Sequence, residues 1–406
     1  MTQQQRALLL QLEQQLGTQP EQISHYIFTH AELGLREYQS AAYLADYMEK
    51  QGFAVTRGIC GLETAFSAVW GASGPCIAFL SEYDALAGYG PENKDPGHAC
   101  GHNWIAGTTA GAAVTLANLC KAEGLAARVL LVGCPAEETF SAKAILAQHG
   151  IFDGVDCALQ AHLGDVNIAY PWSLALGTRQ LIYTGKAAHA AAAPWNGINA
   201  LDAVRLFFNG IDALRQQVRP DVRIHGVIQE GGQAANSIPE RASCLFYIRS
   251  ARWAELQQLL QRVEDIARGA ALMTGAQLEI RYPEQPMQDL LPVPALQELA
   301  AAWMASEGME SLSRQQCREL SRGSTDVGNV SYVCPTQYLE IDPACGKPFL
   351  GHTQAALELA DEPSYPALHR AIRVLAGMGA ELILDADLRR RCHEEWAKAV
   401  ESGYNS

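Results

Sequence analysis

Three short apolar runs, residues 77–80, 128–132 and 157–161, each end within a few residues of side chains that bind cations or move protons, and this constrains the fold more than any other feature. Glu82 and Asp84 follow the first run, Glu137 and Glu138 the second, and His162 the third. A further apolar run lies at residues 64–69, and a Gly/Ala-rich helical stretch at 105–120 falls between the first and second of the three. Strands alternating with helices predict an α/β layer structure with a mostly parallel sheet. Ligands of such open sheets gather outside the carboxyl ends of the strands. A single crevice holding all five side chains is therefore expected.

Ahead of these runs, apolar residues recur at helical spacing over residues 21–51 and Gly52 stands where a C-cap would, so a helix is expected to lead the chain. Near Trp172 the texture changes: strand patterns at 174–185, 222–229, 241–249 and 276–282 interleave with helical patterns at 199–217 and 253–272. That β-α-β-β-α-β order is the ferredoxin-like split unit. Helical pattern resumes at Pro294, and strands are expected again around Val333 and over 338–341. The chain thus reads as residues 1–172 and 289–406 forming one α/β domain, with an α+β domain, 173–288, inserted. Its length of 406 residues suits two domains better than one.

Composition excludes several classes. At 48% hydrophobic and 18% charged the chain is that of a packed globular protein. A formal charge of -14 disfavours a nucleic-acid backbone as partner. Eleven cysteines, scattered through apolar stretches, do not form a disulfide framework and suggest a reducing cytoplasm. The N-terminus lacks a signal-peptide core, and no segment reaches the roughly 18 to 20 apolar residues of a membrane span. A soluble protein with no membrane partner is expected.

Cys100-Gly101-His102 can close on one cation, although a lone Cys near a His is more often a small buried hydrophobe beside an unrelated ring. Gly97 and Gly101 loosen the backbone there, and Asn103-Trp104 begins a helix that would aim its N-terminus at the same place. His98 is a ligand or, preferably, a hydrogen-bonding neighbour of one. Glu137-Glu138 after Pro135 is hard to read as a solvated charge pair, because the preceding run is apolar. Adjacent carboxylates beside a cation divide their roles, one ligating and the other serving as general base. His162 and His352 taken alone look structural. His189, in an Ala-rich loop of the inserted domain, is either exposed or presents an imidazole to substrate. Arg249 and Arg322 are candidates for pairing with a substrate carboxylate and equally for surface or interdomain charges.

Taken together, the order and spacing of His30-Ala31-Glu32-Leu33-Gly34 with Glu37, Glu82-Tyr83-Asp84-Ala85-Leu86, His98 to Asn103, Pro135 to Glu138, Gly185 to Ala190, Ala235 to Glu240, Gly323 to Asp326 and Gly351-His352-Thr353 resemble one family. It is the di-metal amidohydrolases that include hippurate, indole-3-acetyl-amino-acid and aminobenzoyl-glutamate hydrolases, within the aminoacylase and carboxypeptidase superfamily. The resemblance implies a catalytic domain holding two divalent ions, interrupted by a lid domain that also makes a homodimer. It implies Cys100, His102, Glu138, His162 and His352 as metal ligands, with Cys100 where relatives outside this branch use a bridging Asp. Glu137 would be the general base and Asp84 a carboxylate orienting a ligand or the base. Glu82 stands where those outside relatives carry a ligating His, which leaves its own role open. His189 and Asn236 would reach substrate from the lid, a dimer interface being one route, and His189 would also act catalytically as a donor to the tetrahedral oxyanion. Asn103 and Tyr83 look more like the aminobenzoyl-glutamate branch. Departures are the segment Tyr89 to Pro96, longer than the compact loop of relatives, and Ala87 in place of a Pro.

The activity so implied is hydrolysis of the amide bond of an N-acyl or N-aminoacyl amino acid or dipeptide-like molecule. A site of one thiolate, three imidazoles and a carboxylate suits Mn²⁺, Zn²⁺ or Co²⁺. Two rivals use the same residues: a hydrolytic deaminase of an amidine or aromatic amine, and a catalytically dead homologue that only binds.

Overall fold

The computed structural model describes residues 1–90, 94–343 and 346–405. Its elements in chain order begin with α1 (Gln3–Gln15), α2 (Gln19–Thr29), α3 (Tyr38–Lys50), β1 (Ala54–Arg57), β2 (Phe66–Trp70), β3 (Cys76–Glu82), α4 (His102–Glu123), β4 (Arg128–Cys134), α5 (Ala142–Gln148) and β5 (Cys157–Leu163). Then follow β6 (Ala175–Thr184), α6 (Ala200–Leu214), β7 (Arg223–Glu230), β8 (Arg241–Ser250), α7 (Trp253–Thr274) and β9 (Gln277–Arg281). The chain closes with α8 (Pro294–Ser306), α9 (Arg314–Glu319), α10 (Val327–Ser331), β10 (Thr336–Ile341), α11 (Gln354–Leu359), α12 (Tyr365–Leu384) and α13 (Ala386–Asn405). Two compact units result. The larger holds residues up to Trp172, Leu290–Arg322 and most of the chain from Asp326; the smaller is Ser173–Asp289 with Gly323–Thr325 and a few C-terminal residues.

The larger unit is built on a six-stranded sheet in the order β1-β2-β4-β3-β5-β10. The pairs β3–β4, β3–β5 and β5–β10 are parallel, and β1 and β2 add an antiparallel edge. Sequence alternation explains why this sheet is buried on both faces. Ile77, Phe79, Val129, Leu131, Leu159 and Ala161 join the core with residues of α4 and α12. Their neighbours Ala78, Leu80, Leu130, Val132 and Ala158 face α5 and α10 instead. Burial on both faces is what makes these strands read as near-continuous apolar runs. At about 25 cal/mol per Å² each buried Val, Leu, Ile or Phe among them stabilises the fold by roughly 1.5–3 kcal/mol, and each Ala by less.

Two sequence expectations are corrected here. The single leading helix over 21–51 is instead α2 and α3, separated by residues 30–37. That break has a tertiary cause: Glu32 O accepts from Ala85 N at 2.8 Å just past β3, while the Glu32 carboxylate accepts from Gln39 N and Ser40 N at the start of α3. Leu35 sits at φ 65. Long-range pairing with the exit of β3 overrides a helical period that both flanking segments share. Similarly, no strand forms around Val333. That residue turns back onto α10, donating from its N to Val330 O at 3.0 Å, and β10 begins only after Pro335.

In the smaller unit four antiparallel strands in the order β7-β8-β6-β9 carry α6 and α7, the ferredoxin-like arrangement. Its core is separate, formed by Phe207, Ile211, Phe246, Leu256 and Val263 among others. No described helix of the chain is long and apolar enough to cross a membrane. Ten described cysteines are all free, and Cys345 lies outside the described residues.

Candidate metal centre

Glu82 is the last residue of β3, Glu137 and Glu138 follow β4, and His162 is the penultimate residue of β5, so the topology brings the three strand ends together. The fourth contribution comes from α4, which starts at His102 with Gly101 as N-cap at φ 80. A Cβ at Gly101 would meet Leu163 Cδ1 at 3.0 Å and Phe349 Cζ at 3.2 Å, so glycine serves both the left-handed turn and the close packing. Cys100 and His102 thereby reach the site from the two sides of one turn. The fifth is His352, at φ 62, whose N donates to Ala99 O at 2.9 Å and whose O accepts from Tyr89 Oη at 2.7 Å. Tyr89 belongs to the longer segment noted in the sequence, of which Pro91 to Asn93 lie outside the described residues.

Ligand atoms of Cys100, His102 and His162 lie within 4.8 Å of one another, and so do those of Cys100, Glu138 and His352. Cys100 is common to both groupings. A third grouping is His102, Glu137 and Glu138. Cys100 Sγ is 3.6 Å from His162 Nε2, and Glu138 Oε1 is 3.3 Å from His352 Nε2. Two donors on one tetrahedral ion, with metal–ligand bonds of about 2.0–2.3 Å, sit about 3.4–3.6 Å apart. Glu138 Oε1 is buried without a hydrogen-bond partner among the described residues despite that 3.3 Å approach, as an oxygen facing a shared point rather than a donor would be. Donor chemistry, spacing and the orphaned oxygen fit a pair of divalent ions.

Asp84 organises this set. Its Oδ1 takes His102 Nδ1 at 2.8 Å, which leaves Nε2 facing the cluster, and its Oδ2 accepts from Glu138 N at 3.0 Å. A carboxylate fixing the ring of a ligating histidine is the common outer partner of such sites. His162 is oriented in the same way, Nδ1 donating to Leu163 O at 2.6 Å. His98 is turned elsewhere: Nε2 meets Ile27 O at 3.1 Å, and burial followed by the neighbouring His102 lowers its pKa to about 3. It belongs to none of the three groupings. Asn103 packs beneath the site, its Nδ2 donating to Ser24 Oγ at 2.9 Å and Ala360 O at 2.7 Å.

Glu137 is 9% exposed, and burial, then the charges of Glu138, Glu82 and Asp326, push its carboxyl well above the usual range. Bound dications act in the opposite sense and favour its ionised form. Cys100 is raised first by burial and next by Glu138, so a bound cation is what would hold it as thiolate. The backbone under Glu137 is held by Glu37, whose Oε1 accepts from Ala136 N at 2.8 Å while Oε2 takes Thr64 Oγ1 at 2.8 Å. Ala136 is at φ 53. Of five described non-glycine residues at positive φ, Ala136, Ser141 and His352 lie at or beside the cluster, where surrounding contacts impose the conformation.

Sequence reasoning missed what lies beneath. Lys143, 0% exposed at the start of α5, places Nζ 2.5 Å from both Glu82 Oε1 and Asp326 Oδ1. Burial opposes its charge, but Asp326 and Glu82 hold it protonated; Lys143 in turn keeps Glu82 ionised, near 2, against the same burial. Gln160 Nε2 also donates to Glu82 at 2.7 Å, and Glu82 Oε2 lies 3.3 Å from His102 Nε2. Glu82 joins none of the three groupings. The signal was a lone Lys in the small, apolar run Ala142 to Leu146. Lys143→Met strands two buried carboxylates and is expected to cost about 3–5 kcal/mol. Urea unfolding checks this, and a loss below about 1 kcal/mol would contradict the buried pairing.

His189 and Asn236 lie in the smaller unit, both exposed. Their loops are joined there by a bridge between His189 and Ser237 and by Ala190 N donating to Asn236 O at 3.0 Å. His189 Nδ1 accepts from Ala191 N and Ala192 N, which puts the proton of the neutral ring on Nε2. Arg249 donates to Ser324 Oγ at 2.8 Å within the same unit.

Comparison with known proteins accords with this geometry. The peptidase dimerisation domain of the M20 family matches residues 176–273. An Xaa-Arg dipeptidase of Homo sapiens is 34% identical over 92% of this chain and 88% of its own length. A p-aminobenzoyl-glutamate hydrolase polypeptide of Escherichia coli (strain K12) is 30% identical over 94% of this chain and 92% of its own length. Among solved structures, an aminobenzoyl-glutamate utilization protein from Klebsiella pneumoniae shares the fold with a TM-score of 0.68 at 20% identity, covering 90% of this chain and 97% of that one. A dinuclear metal-binding M20 peptidase from Bacillus subtilis does so with a TM-score of 0.60 at 19% identity, over 88% and 98%. With the strand-end cluster, the ferredoxin-like insertion and relatives matched over nearly their full length, the chain belongs to the M20 family of metallopeptidases and amidohydrolases.

Proposed function

We propose that this protein hydrolyses the amide bond of N-acyl or N-aminoacyl amino acids or dipeptide-like conjugates at a two-metal site. One observation supports the reading most: a thiol, three imidazoles and a carboxylate converge at the strand ends with a second buried carboxylate, Glu137, beside them. Cys100, His102, Glu138, His162 and His352 would hold the ions. When bound, two divalent ions supply Lewis-acid polarisation of the scissile carbonyl and a water acidic enough to ionise near neutral pH. Glu137 takes the proton of the attacking water and passes it to the leaving amine. Asp84 keeps the His102 ring and the Glu138 backbone in register while this happens. His189, with Nε2–H as donor, and Asn236 are assigned to substrate recognition. Mn²⁺ or Zn²⁺ is the metal we favour from the mixed sulfur, nitrogen and oxygen donors.

The substrate class follows from relatives whose names share an amino acid on the amine side: Xaa-Arg, aminobenzoyl-glutamate and indole-3-acetyl-aspartate. We assign a homodimer through the inserted domain, where the edge strand β7 leaves Val227 60% and Ile228 47% exposed. The free cysteines agree with a cytoplasmic location. The test is a panel of N-acyl amino acids, β-alanyl dipeptides, Xaa-Arg dipeptides and aminobenzoyl-glutamate, offered to metal-reconstituted protein. Free amino acid should appear. Ammonia without amino acid would mean a deaminase, and binding without any product would mean a dead homologue.

A further inference from the structure

Between β3 and α4 the longer segment departs and returns through a closely paired pair of backbone stretches. Gly97 N donates to Leu86 O at 2.9 Å and Leu86 N to Gly97 O at 3.1 Å, and Gly90 N donates to Asp95 O at 2.7 Å. The two sides leave no room for a side chain: a Cβ at Gly97 would meet Tyr89 O at 2.8 Å, and one at Gly90 would meet Pro96 O at 2.6 Å. This closure fixes where Tyr89 sits, and its hydroxyl donates to His352 O at 2.7 Å. A few residues later Ala99 O accepts from His352 N at 2.9 Å. The ends of one stretch, Leu86 to Ala99, thus hold both backbone polar groups of a candidate ligand far along the chain.

His352 needs such a hold. Its side chain is 54% exposed, whereas those of His102 and Glu138 are 1% and 8% exposed. Cys100, His102, Glu138 and His162 stand at strand ends or at the start of α4, but His352 lies in the irregular connection between β10 and α11. Its φ of 62 is left-handed, and a residue with a side chain stays there only where its surroundings impose it. Packing seats the neighbouring residues: a Cβ at Gly101 would lie 3.2 Å from Phe349 Cζ, and one at Gly351 would lie 3.9 Å from Cys100 Sγ. Those contacts place the segment without setting the rotation of a single residue. A hydrogen bond at N and another at O do set it, because the only soft torsions of the backbone lie between them. So held, His352 Nε2 stands 3.3 Å from Glu138 Oε1.

We propose that Tyr89 is a positioning residue whose hydroxyl locks the His352 backbone, so that the imidazole stays on the ion it would share with Cys100 and Glu138. This rests on the two-metal reading and gives the longer segment before His98 a task at the site. The experiment is a calorimetric titration of metal-free, full-length protein with Zn²⁺, which should return two affinities for the wild type. Tyr89→Phe should weaken one ion by about 2- to 10-fold, the size of one net hydrogen bond, and leave the other unchanged. Gly90→Ala keeps the hydroxyl but sets a methyl against Pro96 O, and should weaken the same ion by displacing Tyr89. His352→Ala should weaken that ion more strongly. With no imidazole left to position, adding Tyr89→Phe to His352→Ala should change neither affinity, as a coupled pair requires. No loss in Tyr89→Phe, a loss shared equally by both ions, or a further loss in the His352→Ala background overturns the assignment. A wild type that takes up fewer than two equivalents defeats the two-metal reading itself, and the role of Tyr89 with it.

Discussion

Cys100→Ser should empty the metal site and abolish turnover. Cys100 belongs to two of the three three-donor groupings and is the one residue that those two share, one being completed by His102 and His162 and the other by Glu138 and His352. A serine hydroxyl does not ionise as a thiol does, so both groupings lose an anionic donor at once. Removing even an outer partner of a ligand costs about 10–100-fold in affinity, so losing a shared donor should cost at least about 100-fold for each ion. Metal analysis after equilibrium dialysis, with Asp84→Asn as the milder comparison, reads this directly. Retention of one full equivalent in Cys100→Ser would show that the thiol serves one ion only. The same chemistry predicts the pH dependence of uptake in the wild type. Thiolate and imidazole must be deprotonated to bind, so affinity falls as pH falls.

Glu137→Gln should keep the metal and lose turnover by about 100- to 10,000-fold, the range attributed to a positioned general base. The amide is nearly isosteric and cannot accept the water proton. This variant also separates two roles that the geometry brings close, because Glu137 shares a grouping with His102 and Glu138. Unchanged metal content with lost activity marks a base. Lost metal marks a ligand and would reassign Glu138. An active Glu137→Gln enzyme would refute the mechanism whichever residue binds metal.

Much of the site is legible in the primary structure because its donors sit at fixed offsets from strand ends. Glu82 closes β3, Glu137 and Glu138 follow β4, and His162 is next to last in β5. A parallel sheet aligns those ends, so sequence order alone is enough to gather them. Cys100 and His102 are legible for a related reason, since a glycine at φ 80 between them ties both to the first turn of α4. The alternation from one core to the other in β3, β4 and β5, and the β-α-β-β-α-β insertion, follow from local periodicity in the same way.

Local pattern by itself thus marked the central strands β3, β4 and β5, the inserted unit and the Cys100-Gly101-His102 and Glu137-Glu138 pairs, while His162 and His352 entered as candidate ligands only through the family resemblance. Only the tertiary structure decided which of them face one another. Lys143 carries no local mark of its two buried carboxylates, one at the end of β3 and the other, Asp326, far along the chain. The split of the first long helical pattern required Ala85 to reach Glu32. Asn103, beside a candidate ligand in sequence, spends its amide on Ser24 and Ala360. The ion pair of Arg322 with Glu340, which stands opposite His162 in the sheet, is likewise a tertiary contact. Periodicity reports the face a residue presents, whereas a partner across a hundred residues is fixed by how sheets and helices close. A buried charge is resolved only at that stage.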